Sequence, residues 1–206
     1  MTNDNLPTSV WETPNETRGT QNSRRLTASF DLIAAVLDGI TLPGLLTLVA
    51  EQARAMAGVP LAFIALPAED ALILRIDFAV GVGSDQIHGL TVRRGRSMLG
   101  RAFSSRRALS ARIVADQTLS ALPPGPILIL PLDTGEATRG VLAVLGQPGA
   151  EPVNPSTARQ LLLFADASAR LIQLAEDQRD RPGGPRGSTD HRSSTAPIQR
   201  SVTTGW

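Results

Sequence analysis

The sequence of 206 residues contains no cysteine, no lysine and no tyrosine. The missing cysteine excludes disulfides, thiolate catalysis, thiolate metal sites and attachment of a chromophore through sulfur. Arginine supplies all 20 basic residues, and 19 acidic residues nearly balance them. This balance argues against a dedicated nucleic-acid-binding protein, which would carry a strong excess of positive charge. Aromatic residues make up only 3% of the chain, so few groups are present to stack on a flat cofactor.

Long apolar runs are also missing. No segment reaches the roughly 18–20 apolar residues that are needed to cross a bilayer. Residues 1–12 are acidic and polar where a secretory signal needs a basic start and an apolar core. We therefore expect a cytoplasmic protein that does not bind a membrane. We find neither a nucleophile–base pair nor a metal cluster in the sequence, so we expect no enzyme and no metal.

Composition divides the chain into three parts. Residues 1–22 are rich in Asn, Thr, Pro, Glu and Gly, with too little apolar surface to offset the entropy of ordering. Residues 181–206 have a similar Pro/Gly/Ser-rich composition. We therefore predict a disordered arm, one domain at 23–180, which is an ordinary domain size, and a disordered tail.

Helical patterns open this domain. Five apolar residues recur at spacings of 4, 3, 4 and 3, and the average spacing of 3.5 residues is that of a coiled-coil seam. They are Leu26, Phe30, Ile33, Leu37 and Ile40. The pattern fits a coiled-coil seam and a single helix packed on its own domain equally well. In either case we predict an N-terminal helix at about 25–40, which would transmit the signal of the domain. Thr41 predicts the N-cap of a second helix, with Pro43 in its first turn and its end near Gly58.

Strand patterns follow the two helices. Residues 61–67 are apolar on both faces, which predicts a central strand. Apolar residues alternate with other residues at 72–79, which predicts a strand with one solvent-exposed face. A short polar turn joins it to the first strand. Two weaker strand candidates are 89–92 and 108–113, with a short helix between them at 97–104. Residues 126–132 and 139–145 would form an apolar hairpin. Because no long helical crossover separates the strands, we expect a largely antiparallel sheet.

A long closing helix is predicted from residue 154 to residue 180. Asn154 can cap it, and Pro155 is favourable at the first helical position. Two adjoining apolar stripes run along the helix, so it needs two packing surfaces. One surface is the sheet, and the other is either the first helix or a second copy. The candidate dimer residues are Phe164, Leu171 and Leu174.

Several segments of residues 25–180 together resemble a GAF domain. They resemble more narrowly the second GAF domain of actinobacterial sensor histidine kinases that respond to oxygen and redox state. The segments are LLTLVAEQA at 45–53, AFIALP at 62–67, GLTV at 89–92, LILPL at 128–132, GVLAVL at 140–145 and LFAD at 163–166. Most of these positions determine the fold, so they identify the fold better than the ligand.

The resemblance implies an α+β fold with a six-stranded antiparallel sheet. The N- and C-terminal helices would pack on one face, and a covering segment of loop and short helix at about 95–125 would close a ligand cavity on the other. Apolar residues of this segment would line the pocket, or equally fill a collapsed core: Met98, Leu99, Phe103, Ile113 and Leu122. In related kinases the closing helix leads into a kinase half, whereas residues 182–185 here are Pro-Gly-Gly-Pro.

Known cofactors of the family are disfavoured. Haem is carried by the first GAF domain of these kinases, so we expect His88 to be an exposed turn residue and not a haem ligand. Residues 146–147 and 153–156 lack the pattern of cyclic-nucleotide binders. Bilin-binding members and methionine sulfoxide reductases of this fold need cysteines that are missing. We therefore expect no cofactor.

Seven arginines and no acidic residue lie between positions 93 and 112. Guanidinium groups match phosphate oxygens bidentately, so Arg93, Arg94 and Arg96 are a candidate anion-binding patch. A solvated basic loop is the alternative interpretation.

Two functions remain open. The first is a non-catalytic sensory or regulatory module that binds an unknown small molecule or a partner protein. It would pair with itself or with a sensor kinase through its terminal helices. The second is a ligand-free interaction protein, such as a truncated kinase remnant that pairs with full-length sensor kinases.

Overall fold

The computed structural model describes residues 14–114 and 122–180. Within these residues the helices are α1 (Pro14–Leu37), α2 (Leu42–Ala57), α3 (Ser84–Ile87), α4 (Met98–Ser105) and α5 (Pro155–Asp180). The strands are β1 (Leu61–Pro67), β2 (Ile73–Gly81), β3 (Thr91–Arg93), β4 (Leu109–Ile113), β5 (Gly125–Asp133) and β6 (Thr138–Leu145).

The strands form one sheet in the order β3-β2-β1-β6-β5-β4, and all neighbouring strands are antiparallel. Each neighbour in this order except the β1–β6 pair is also a neighbour in sequence. The predicted α+β class and the six-stranded antiparallel sheet are confirmed. The predicted tail at 181–206 and residues 1–13 of the predicted arm lie outside the described residues.

Helices α2 and α5 pack on one face of the sheet, and α1 packs on α2 and α5 in the same layer. The predicted caps are present: the Gly44 amide donates to Thr41 Oγ1 at 3.3 Å, and the Thr157 amide donates to Asn154 Oδ1 at 2.8 Å. Gly58 ends α2 in the left-handed region with φ of 64°, where glycine carries no steric cost. Each large side chain that this layer buries contributes about 1.5–3 kcal/mol. The buried residues of α2 are Leu45, Leu46, Val49, Ala50, Ala53 and Met56.

The first helix differs from its prediction at both ends. It begins at Pro14, inside the segment predicted to be a disordered arm, because main-chain hydrogen bonds can extend a helix beyond the core that composition measures. It stops at Leu37 and not near 40, because Gly39 adopts φ of 79° and turns the chain toward α2. The buried face consists of Ala28, Leu32 and Val36 and not of the predicted seam.

A β-bulge in β2 breaks the predicted alternation of that strand. Ile64 pairs with Phe78 while Ala65 pairs with Ile76, so Asp77 has no partner in the register. Leu74 and Ile76 therefore face the side opposite the terminal helices, whereas Phe78 packs toward α2. A strand without a bulge would place Leu74, Ile76 and Phe78 on the same face, as the alternation in the sequence predicted.

The opposite face of the sheet is covered by α3 and α4. Ser97 caps α4, since its hydroxyl accepts from the Gly100 amide at 3.0 Å. The short helix α3 was not predicted from the sequence, and it places Ile87 fully in the core. The two faces of the sheet thus carry separate apolar clusters, one beneath the terminal helices and one beneath the covering segment.

The longest helix, α5, spans 26 residues, about 39 Å at 1.5 Å per residue. Its apolar residues are interrupted by charged ones throughout. Within the part of the chain that the structure describes, no helix combines the length and the apolar character needed to span a membrane.

Candidate functional site

The five predicted pocket residues do come together, on the covered face of the sheet. Leu99, Phe103 and Ile113 are buried, while Met98 and Leu122 are partly buried and pack on the same cluster. The cluster also contains the fully buried side chains of Phe63, Leu74, Ile76 and Ile129 from the sheet. Apolar side chains therefore occupy the space between α4 and the sheet, and the five residues remain candidate ligand contacts.

The arginines of the covering segment have different surroundings. Arg106 donates to the carbonyl oxygens of Gly135 and Glu136, both at 3.0 Å, and so ties the end of α4 to the β5–β6 turn. Arg112 donates to the carbonyl oxygen of Ala150 at 2.8 Å. These two side chains bind the protein's own main chain, which accounts for part of the positive charge in this segment.

Arg94 lies in an open pocket with two other arginines. The pocket has a volume of about 510 Å³ and lies between the β3–α4 connection and the end of α4. It is lined by Arg94, Gly95, Arg101, Ser104, Ser105, Arg107, Ala108 and Leu109. We call it the arginine pocket. Of the three arginines in the predicted anion patch, only Arg94 lines it, while Arg93 and Arg96 are exposed outside it.

Arg101 and Arg107 belong to the same arginine-rich segment as Arg94, but they were not selected from the sequence as part of the anion-binding patch. One signal was available, since Arg101, Ser104 and Ser105 have the i, i+3, i+4 spacing that brings residues onto one face of a helix. The proximity of Arg94 to that face depends on how α4 packs. A methyl group on Gly100 would lie 2.0 Å from the Arg94 carbonyl oxygen, so only glycine permits this close approach.

The terminal helices form the second candidate site. Arg25 Nε on α1 donates to Gln160 Oε1 on α5 at 2.8 Å, and the two helices pack side by side on the core. The outward face of α1 carries four apolar residues, which we call the α1 stripe. Their exposed fractions are 42% for Leu26, 67% for Phe30, 41% for Ile33 and 80% for Leu37.

The predicted dimer residues of α5 lie in three different environments. Phe164 is fully buried in the domain's own core and does not lie on the surface of a single copy. Leu171 is partly buried on the same core, whereas Leu174 is exposed, as is Leu163, which sequence analysis did not select. The reason is the 3.6-residue period, which turns successive members of a long apolar stripe away from a single contact surface.

One ion pair connects α5 to the sheet, and one carboxyl group of α5 is affected by charges nearby. Arg139 on β6 lies 3.2 Å from the Glu176 carboxylate. Burial raises the pKa of Asp166 above its ordinary value of 3.8, the charge of Arg170 opposes this increase, and Asp133 adds to it. These groups place charge on the side of α5 that faces the β5–β6 hairpin.

The sequence also led to expectations about His88 and about metal binding. His88 is exposed in the turn that ends α3, where its amide donates to the Ser84 carbonyl oxygen at 3.0 Å. Across residues 14–114 and 122–180, no three His, Asp or Glu side chains are grouped so that they could hold a metal ion.

No family model matches this sequence, and no curated protein matches it. Solved structures do. The second GAF domain of DevS from Mycobacterium smegmatis is 28% identical, with a TM-score of 0.59 over 65% of this chain and 94% of that one. The GAF domain of a phosphoenolpyruvate-protein phosphotransferase from Coxiella burnetii is 12% identical, with a TM-score of 0.62 over 76% of this chain and 97% of that one.

An enzyme shares the architecture. The free methionine-R-sulfoxide reductase of Neisseria meningitidis is 14% identical, with a TM-score of 0.62 over 79% of this chain and 93% of that one. Identities this low show a shared fold only. The described residues thus form a domain with the GAF fold, and its sequence is similar to that of the second GAF domain of DevS, as the sequence resemblance predicted.

Proposed function

We propose that this chain is a non-catalytic sensory or regulatory module of bacterial signal transduction, which signals through α1 and α5. The α1 stripe is the observation that supports this most strongly. One face of α1 packs on the domain through Ala28, Leu32 and Val36, so the outward stripe is not needed for the domain's own core. A row of exposed apolar residues beside such a core marks an interaction surface.

The occupant of the α1 stripe in this proposal is a second copy of the chain. Its members repeat at spacings of 4, 3 and 4, the pattern by which two helices pack knobs into holes. From Leu26 to Leu37 the stripe is about 16 Å long at 1.5 Å per residue, which is short for a coiled coil. The exposed Leu163 and Leu174 on α5 extend the apolar surface of the helical layer.

Signalling would follow from a change in helix geometry. A small molecule or partner protein that binds one arrangement of the helices more tightly shifts the population toward it. The Arg25–Gln160 and Arg139–Glu176 contacts join α1 to α5 and α5 to β6. A movement of the sheet would therefore reach both terminal helices.

The non-catalytic part of the proposal depends on the sequence. The fold alone does not exclude catalysis, because a reductase shares it. Cysteine is missing from all 206 residues, so thiol chemistry is excluded. Within the described residues, His88 is the only histidine, and it is exposed in a turn.

Spin labels can test the signalling mechanism, because a chain without cysteine can be labelled at a single introduced thiol. Thr27→Cys on α1 and Asp177→Cys on α5 replace exposed residues. In a dimer, each labelled variant gives one distance between equivalent positions in the two copies. We expect a short distance at both sites, which changes when a fraction of the native host's metabolites supplies the ligand. A dimer whose two distances stay fixed with every metabolite fraction would contradict a ligand-driven helix movement.

One observation favours the second candidate function, a ligand-free protein that pairs with sensor kinases. The covered face is occupied by buried side chains, among them Leu99, Phe103 and Ile113. Purification from the native host, with mass spectrometry of small molecules and of proteins, separates the candidates. A kinase retained by the native chain and released by Phe30→Glu, with no small molecule retained, would favour the second function.

A further inference from the structure

We propose that the arginine pocket binds the phosphate group of a small anionic molecule. The site is separate from the α1 stripe, it borders the apolar cluster beneath α4 at Leu109, and the inference does not depend on the proposed function. The pocket lies on the outside of the covering segment, at the end of α4.

The pocket concentrates positive charge. Arg94, Arg101 and Arg107 line it, and none of the described residues that line it is acidic. The formal net charge of the whole chain is only +1, so three cations in one pocket are a local concentration of charge. Bringing like charges together is unfavourable, and an anion that binds between them removes this repulsion.

Two of these arginines have guanidinium groups that contact no other described residue through a hydrogen bond or an ion pair. Within residues 14–114 and 122–180, this holds for the side chains of Arg101 and Arg107, while the Arg101 main-chain amide donates to the Ser97 carbonyl oxygen in the first turn of α4. Arg106 and Arg112, from the same segment, both donate to main-chain carbonyl oxygens. Arg106 and Arg112 therefore fix this segment to the rest of the domain, whereas the guanidinium groups of Arg101 and Arg107 are available to bind a ligand.

Arg94 is held in place by contacts within the protein before any ligand binds. Its guanidinium carbon lies 4.0 Å from the centre of the Phe103 ring, and its Nη1 donates to the Ala71 carbonyl oxygen. Stacking on an aromatic face leaves the edge of the guanidinium free to donate. The close approach of Gly100 to the Arg94 main chain fixes the position of α4 relative to Arg94. The fixed guanidinium of Arg94 and the movable side chains of Arg101 and Arg107 can then donate to the same anionic group.

The chemistry of these donors favours phosphate. Guanidinium groups donate two parallel hydrogen bonds to phosphate oxygens, and a phosphate monoester offers three oxygens and up to two negative charges. The hydroxyls of Ser104 and Ser105 can donate to further oxygens. A volume of about 510 Å³ falls within the roughly 300–1,000 Å³ of small-molecule sites. Ala108 and Leu109 supply an apolar edge for the rest of the molecule.

The test is a titration of the full chain with methyl phosphate at constant ionic strength, followed by calorimetry and by NMR of the arginine Nε–H signals. We expect one saturable site whose signals include Arg94 and Arg101. The double variant Arg101→Gln/Arg107→Gln should weaken binding at least about tenfold, because charge-assisted hydrogen bonds are lost. The matched control, Arg93→Gln/Arg96→Gln, removes the same charge from the same segment outside the pocket and should leave binding unchanged. Thermal unfolding of both variants checks that each is folded.

Three results would overturn the proposal. Absence of saturable binding would show that the pocket is only a solvated basic surface. Equal weakening in the two double variants would show that net charge and not the pocket attracts the anion. Equal affinity for acetate and methyl phosphate would show that the site does not select phosphate. The ionic strength must be the same in all titrations, because salt screens non-specific attraction.

Discussion

Leu32 and Phe30 lie two residues apart on α1 and have opposite environments, since Leu32 is fully buried and Phe30 is 67% exposed. Two residues correspond to about 200° around an α-helix, so the side chains point away from each other. One face of α1 is therefore part of the domain, and the other carries apolar residues on the surface. This difference separates the folding role of α1 from its proposed binding role.

Leu32→Ala and Phe30→Ala should have different effects on stability. Leu32→Ala removes buried methyl groups and leaves a cavity, so we expect the free energy of unfolding to fall by about 2–5 kcal/mol. Phe30→Ala changes an exposed residue and should alter it by less than about 1 kcal/mol. Urea unfolding at a protein concentration low enough to keep the chain monomeric measures both. A large loss with Phe30→Ala under those conditions would place Phe30 in the core of a single copy.

Gly100→Ala should destabilise the covering segment. The added Cβ would lie 2.0 Å from the Arg94 carbonyl oxygen, so α4 would have to shift away from β3. We expect a loss of about 1–3 kcal/mol, the range for overpacked sites. Gly95→Ala is the matched control, because nothing lies within 4 Å of its added Cβ. A Gly100→Ala variant as stable as Gly95→Ala would show that α4 is loosely placed.

Asp166→Asn should stabilise the protein at neutral pH. Burial raises the pKa of Asp166 in the folded state, so the folded state favours the uncharged form despite the opposing charge of Arg170. Asparagine is uncharged at every pH and removes that cost. The gain should shrink as the pH falls through the raised pKa of the folded state toward 3.8, and below 3.8 the carboxyl is mostly protonated in both states, so that no gain from the lost charge remains. Thermal unfolding between pH 7 and pH 4 checks this, and a less stable variant at pH 7 would show that the Arg170 charge outweighs burial.

Much of the fold could be predicted from local patterns. Thr41 and Asn154 were correct helix caps because capping depends on one side chain and the amides beside it. The strands β1, β5 and β6 were predicted within one residue at each end, since runs that are apolar on both faces occur in buried strands. These signals are contained in a few neighbouring residues.

Other features depend on contacts that no local pattern contains. The bulge at Asp77 reverses the faces of β2 through pairing with β1, which lies more than ten residues earlier. The helix α3 is only four residues long, and four residues carry too little periodicity to be recognised. The arginine pocket requires the close approach of Gly100 to Arg94, and only the packed structure shows it.

The most direct test of the account is the oligomeric state of the chain, measured by sedimentation across a wide range of concentrations. We predict a dimer that dissociates on dilution, because the α1 stripe leaves Phe30 and Leu37 exposed in a single copy. Phe30→Glu/Leu37→Glu should be monomeric and folded, whereas Leu72→Glu, an exposed apolar residue outside the helical layer, should still dimerise. A native chain that stays monomeric at the highest concentration reached would contradict the account.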